Sequence, residues 1–174
     1  MSGAATLRRA VPADAQAIAG IAVRTWHHAY SDFADPRTLA ERTLEQQLPL
    51  WEQRLGVGVG SGDEIWVAEA GGRVVGYAAV GPSMDVDAGA GTGLLHALYV
   101  DPPAQGGGLG GLLHGHALER LAALGFVEAT LWSFADNEQA RTFYEHRGWA
   151  FDASGSGLED PHWREPAVRY RRAL

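Results

Sequence analysis

The apolar positions follow two periods, and together these predict most of the elements. Thr6–Val11, TLRRAV, suits a first strand, and in residues 12–30 Ile18, Ile21, Ala22 and Thr25 recur at helical spacing behind Pro12, a good first helical residue. Residues 31–55 also carry a helical pattern, but Pro36 stands near one start and Pro49 interrupts the longer run, so two short helices are expected. VGVGSGD, residues 57–63, is a flexible connection. EIWVAEAGGRVVGYAAV then gives two strands joined at Gly71-Gly72, a hairpin turn. Residues 81–93 are glycine-rich and expected to be mobile, and LLHALYV, residues 94–100, is the next strand. Leu109, Leu112, Leu113, Ala117, Leu121 and Leu124 form the apolar stripe of a helix that Gly125 ends. EATLWSF is a strand, NEQARTFYEHR a helix stopped at Gly148, and WAFDA and AVRYRRAL are two further strands around a Gly, Ser and Pro loop. The order β, helices, β hairpin, β, α, β, α, β, β predicts an α/β fold with a mixed, largely antiparallel sheet and a βαβ unit in its second half.

Composition narrows the function. A chain of 174 residues, 46% hydrophobic, fits one domain over residues 1–174. No apolar run approaches the roughly 20 residues of a membrane span, and MSGAATLRRAV lacks the apolar core of a secretory signal, so a cytoplasmic protein without a membrane partner is expected. Cysteine is absent, which excludes disulfides, thiolate metal sites and a cysteine acyl-enzyme. Lysine is absent as well, and with it Schiff-base chemistry and a P-loop lysine. The net charge of -7 opposes a broad nucleic-acid surface and suits a cationic substrate, although acidity that only keeps the protein soluble explains it equally well.

PPAQGGGLGGLL, residues 102–113, is the stretch that carries chemistry. Glycines between a strand and a helix let backbone approach a ligand closely, and the free amides of the helix start favour an anion such as phosphate, while tight turns alone also use glycine. Gly106, Gly108 and Gly111 satisfy G-x-G-x-x-G with Asp136 downstream, but about a hundred residues precede the motif and too few follow it to complete a dinucleotide-binding sheet. Gln105-Gly106-Gly107-Gly108-Leu109-Gly110 instead matches Gln/Arg-x-x-Gly-x-Gly/Ala directly after LYV. Downstream, Asn137, Ala140, Phe143, Tyr144, Gly148 and Trp149 match Asn-x-x-Ala-x-x-Phe-Tyr-x-x-x-Gly-Phe/Trp. Both motifs, in this order and on these elements, resemble the GNAT superfamily of acetyl-CoA-dependent N-acetyltransferases. The close match covers residues 94–151, and the element order extends a weaker likeness over the whole chain.

The resemblance implies acetyl-CoA as co-substrate and no metal. Backbone groups of Leu98 and Val100, with Tyr99 between them, would bond the pantetheine arm, and residues Gly106 to Gly111 its pyrophosphate. Asn137 and Tyr144, about 10 Å apart along one helix face, would meet the arm and its sulfur, with Ala140 between. Tyr144 would protonate the departing thiolate. Against this stand plainer readings, in which Asp136 with Gln139 caps the helix, Asn137 supports that turn and Tyr144 belongs to the core. The carboxylate that many family members carry early in the strand falls here on Leu94. His96, two residues on, is the substitute base, with a buried structural histidine as the competing reading and a strand bulge able to redirect it. His27 and His28 are adjacent, and His114 and His116 point apart on their helix, so neither pair chelates a metal. Trp26 and Tyr30 share a helix face and, with His27, form a candidate acceptor wall, to which residues 83–92 could add. The expected acceptor is the amine of a small molecule or a peptide N-terminus. A homodimer is compatible with this reading, and the alternative function is a non-catalytic acyl-CoA sensor.

Overall fold

The structure, a computed structural model, describes residues 5–56, 62–155 and 165–174. Among the described residues seven strands form one sheet: β1 (Thr6–Arg9), β2 (Glu64–Ala70), β3 (Arg73–Pro82), β4 (Thr92–Val100), β5 (Glu128–Phe134), β6 (Ala150–Asp152) and β7 (Ala167–Ala173). Their order is β1-β2-β3-β4-β5-β7-β6, and every pairing is antiparallel except β4 with β5. That pair is the βαβ unit, crossed over by α4 (Leu109–Ala123). The β2–β3 hairpin closes on Gly71 and Gly72, whose φ angles of 56° and 72° are the left-handed pair of a two-residue hairpin turn.

Two apolar layers cover the sheet. On one face α1 (Ala15–Tyr30) and α3 (Leu44–Gly56) bury Ile18, Ile21, Trp51 and Leu55 against Ile65, Val67 and Tyr77. On the other, α4 lays Leu113, Ala117 and Leu121 on Val80, Leu95, Leu131 and Tyr170. The α4 stripe is narrower than its sequence pattern: Leu112, a hundred degrees round the helix from Leu113, and Leu124, at the helix end, are exposed, and Leu109 faces a cavity. Pro49 does not break its segment either. The interruption falls at residues 41–43, after α2 (Pro36–Ala40), and α3 runs through an exposed Pro49 because Trp51 and Leu55 beyond it anchor the helix.

Of residues 81–93, expected to be mobile, 81–82 and 92–93 belong to β3 and β4, and 83–91 are fastened along β5 and β7. Asp85 accepts from Trp132 Nε1 (2.8 Å) and Thr130 Oγ1 (3.1 Å), and Asp87 takes both terminal nitrogens of Arg169 at 2.6 Å. Arg169 is only 1% exposed and also reaches Asp152 (2.9 Å) and Ser154 (2.9 Å). The glycine content signalled freedom; the aspartates between the glycines remove it. Of the 57–63 connection only Gly62 and Asp63 lie among the described residues, and the Gly, Ser and Pro loop lies largely outside them.

Candidate active site

Strands β4 and β5 pair only from Thr92 to Leu94, opposite Glu128 to Thr130. Beyond Leu94 they part, so residues 95–100 present backbone without a partner strand on that side. A cavity of ≈ 280 Å³ fills the fork. Leu95 to Val100 form one wall, Trp132, Ser133 and Phe134 the opposite wall, α1 closes one end and the glycine loop with α5 (Glu138–Glu145) the other. The N-terminus of α4 opens there, with Gly106 and Gly108 at φ 84° and 81°, a backbone that side chains resist, and open space where a Cβ at Gly108 would stand. Positively oriented amides and room for an oxyanion meet at this point.

Most of the residues singled out in the sequence line this cavity: Leu98, Tyr99, Val100, Gln105, Gly106, Gly108, Leu109, Gly110, Asn137, Ala140, Tyr144, His96, Trp26 and Tyr30. Gly107, Gly111 and His27 do not. His27 Nε2 bonds the Arg42 carbonyl at 3.1 Å, outside the cavity, and its neighbour His28 lines the wall instead. The spacing of Thr25, His28 and Ala29, three and four apart, carried that signal. The Val100 carbonyl already accepts from Gln105 Nε2 at 3.0 Å and Thr25 Oγ1 at 3.4 Å, which leaves the Val100 N–H as its contribution. The cap of α5 is Asn137 rather than Asp136: its Oδ1 accepts the Ala140 N–H at 3.1 Å. Trp26, Tyr30 and Phe134 stack edge to face at 4.7 to 5.4 Å, both a core cluster and the cavity wall.

Burial raises the hydroxyls of Tyr30, Tyr99 and Tyr144 above the usual phenol value, with the neighbouring tyrosines reinforcing it at Tyr30 and Tyr144. All three are protonated at neutral pH. Burial pulls His96 below the ordinary imidazole value while Asp63 pulls it back up and Arg54 adds to the lowering, so the ring is neutral and able to accept a proton. Leu94, at the position of the missing carboxylate, is buried and paired with Gly81. Arg147, which the sequence reading passed over, lies over the Phe143 ring at 3.7 Å, and its Nη2 would come within 3.3 Å of a Cβ at Gly111 on the first turn of α4. Among the described residues no group of three His, Cys, Asp or Glu could hold a metal ion, and no helix is long and apolar enough to cross a membrane.

A mixed sheet split at its one parallel pair, with a glycine loop and a helix start at the fork, is the architecture of an acyl-CoA transferase domain. The sequence pattern of the acetyltransferase (GNAT) family matches residues 21–149, and the chain belongs to that family. A Mycobacterium tuberculosis protein named as a probable N-acetyltransferase is 29% identical over 90% of this chain and 89% of its own length. The mycothiol acetyltransferase of Streptomyces avermitilis is 33% identical over 83% of this chain, which spans 42% of that longer protein. The same fold occurs in the PaiA N-acetyltransferase of Thermoplasma acidophilum, solved with coenzyme A (TM-score 0.75, 15% identity, 99% of this chain and 100% of that one). It recurs in YncA of Salmonella typhimurium, solved with acetyl-CoA (TM-score 0.72, 23% identity, 99% and 95%).

Proposed function

We propose that this acetyltransferase moves the acetyl group of acetyl-CoA to a primary amine of a small molecule or peptide N-terminus, by direct attack in a ternary complex. The observation that carries this is the continuity of the cavity, which joins the glycine loop, the unpaired edge of β4, Tyr144, His96 and the aromatic wall of α1. The residues fit the donor. Gly106, Gly108 and the amides opening α4 suit a pyrophosphate, Arg147 adds a cation beside that turn, and the free edge of β4 at Leu98 and Val100 suits the amides of an extended arm.

A backbone N–H of β4 would stabilise the charge that develops on the thioester oxygen. An amine near pKa 10.4 arrives protonated and must lose a proton before it attacks. His96 is the acceptor for that proton and Tyr144 the donor to the departing sulfur. Trp26, Tyr30 and His28 would shape the acceptor end. The absence of cysteine agrees with transfer in one step, because no cysteine is present to carry the acetyl group between donor and acceptor. Leu94 in place of a carboxylate favours the second reading, a sensor that binds acyl-CoA without turnover.

Thiol release from acetyl-CoA across a panel of amines separates the two. Amine-dependent release is expected. Tight CoA binding with no release for any amine would leave the sensor.

A further inference from the structure

Four elements meet beside the cavity at a point the reaction as described does not explain. In the β3–β4 ladder Val80 pairs with Leu95 and Ala79 with Ala97, so His96 is the extra residue of a bulge and its ring leaves the regular alternation. Its Nε2 is shielded from solvent, forms no hydrogen bond within 3.5 Å, and lies 3.6 Å from Oδ1 of Asp63, the residue before β2. Arg54, near the end of α3, holds the other oxygen of Asp63 at 3.9 Å. Across the ladder stands Gly81, where a Cβ would overlap Asp63 Oδ1 and come within 3.1 Å of His96 Nε2. Only a residue without a side chain leaves space for this pair. His96 Nδ1 has no hydrogen bond among the described residues, and His96 lines the cavity.

We propose that Asp63 is the positioning residue of His96: its carboxylate keeps the Nε2–H tautomer turned inward, so that Nδ1 takes the proton of the attacking amine. This rests on the amine-transfer reading above. In the step, the nitrogen lone pair forms the N–C bond and the C–S electron pair leaves with sulfur. The ammonium proton passes to Nδ1 before the attack and from there to water; Tyr144 supplies the proton to sulfur, and the proton that the bonded nitrogen sheds returns to Tyr144 through water. The imidazolium that results sits against a carboxylate, which offsets its burial. Asp63 and Arg54 are the charged groups that act on the ring.

Nitrogen NMR of the wild-type protein at neutral pH is expected to show His96 protonated at Nε2 and bare at Nδ1. The isosteric Asp63→Asn should move the His96 titration to lower pH by about half a unit or more, and the acidic limb of kcat/KM with it. It should lower kcat about tenfold at constant KM for acetyl-CoA. Gly81→Ala, which leaves both partners in the chain, should shift the titration the same way. An Nδ1–H tautomer, or a titration unmoved in Asp63→Asn, would overturn the pairing. A shifted titration in a protein that releases thiol with no amine would instead sink the transfer reading and the catalytic use of the pair with it.

Discussion

Gly108 combines a left-handed φ of 81° with open space on the side where a Cβ would project, at the turn into α4. Gly108→Val both strains that backbone and fills the space, so CoA affinity measured by calorimetry should drop about tenfold or more while the fold persists. Unchanged affinity would remove the loop from the donor site. Tyr144→Phe keeps the ring against His114 and Trp149 and deletes only the hydroxyl. Turnover should fall by about 10² to 10⁴, towards the lower end because a thiolate already leaves readily, with CoA affinity nearly constant. Wild-type turnover under conditions where chemistry limits the rate would make Tyr144 a packing residue. At this scale the glycine loop and the Asn137–Trp149 motif were legible because each works within one local segment. Asp63 was not, since its partner is 33 positions away and only the bulge at His96 brings the two together. His27 was preferred to His28 for want of the Arg42 carbonyl that takes its ring.

Among the elements, the β3–β4 connection departs furthest from its sequence. Ser83 and Asp85 turn inward to hydrogen bonds and a half-exposed Asp87 reaches Arg169, while Met84 and Val86 between them are 82% and 107% exposed, an alternation hidden by glycines on both sides. The anchor is Arg169, 82 positions from Asp87, and no local pattern announces a buried arginine in a strand. Arg169→Met would take the cation from Asp85 and Asp87 and leave Asp152 to Arg171, and a loss of more than about 1 kcal/mol in denaturant unfolding is expected, with faster amide exchange confined at first to residues 83–91. Stability within about 1 kcal/mol of wild type would mean the network contributes specificity of loop placement and little energy. Pro49 shows the converse error: a residue that breaks helices locally is tolerated in α3 because Trp51 and Leu55 on its far side are held by the core.

For the molecule as a whole, the strand and helix order was readable because each element kept its own period; the fork between β4 and β5 was not, since it depends on where pairing stops. Acid response is also a property of the assembled core. Trp149 Nε1 donates to His114 Nε2 at 2.8 Å, and burial with Arg147 and Arg172 nearby lowers that histidine to about 4. Protonation would set one N–H against another. The unfolded chain binds this proton near pH 6.5, so the contribution is complete above that pH and is lost as the pH falls towards 4, by roughly 3 kcal/mol. His96 and His116, also lowered, act in the same sense. Denaturant unfolding at pH 7 and pH 4.5 should show a smaller difference in His114→Gln than in wild type; equal differences would place the acid sensitivity elsewhere. The fork has a thermodynamic side as well. From Leu95 to Val100 the side of β4 that faces β5 carries backbone donors and acceptors that no neighbouring strand satisfies, so the sheet lacks one set of rungs there. A ligand that supplies those bonds acts as a strand, and its affinity is in part the cooperativity of closing the sheet. Free CoA at a hundredfold excess over its Kd should then raise unfolding stability by about 2.7 kcal/mol, and the slowing of amide exchange should be concentrated in β4 and radiate outward through both halves of the sheet.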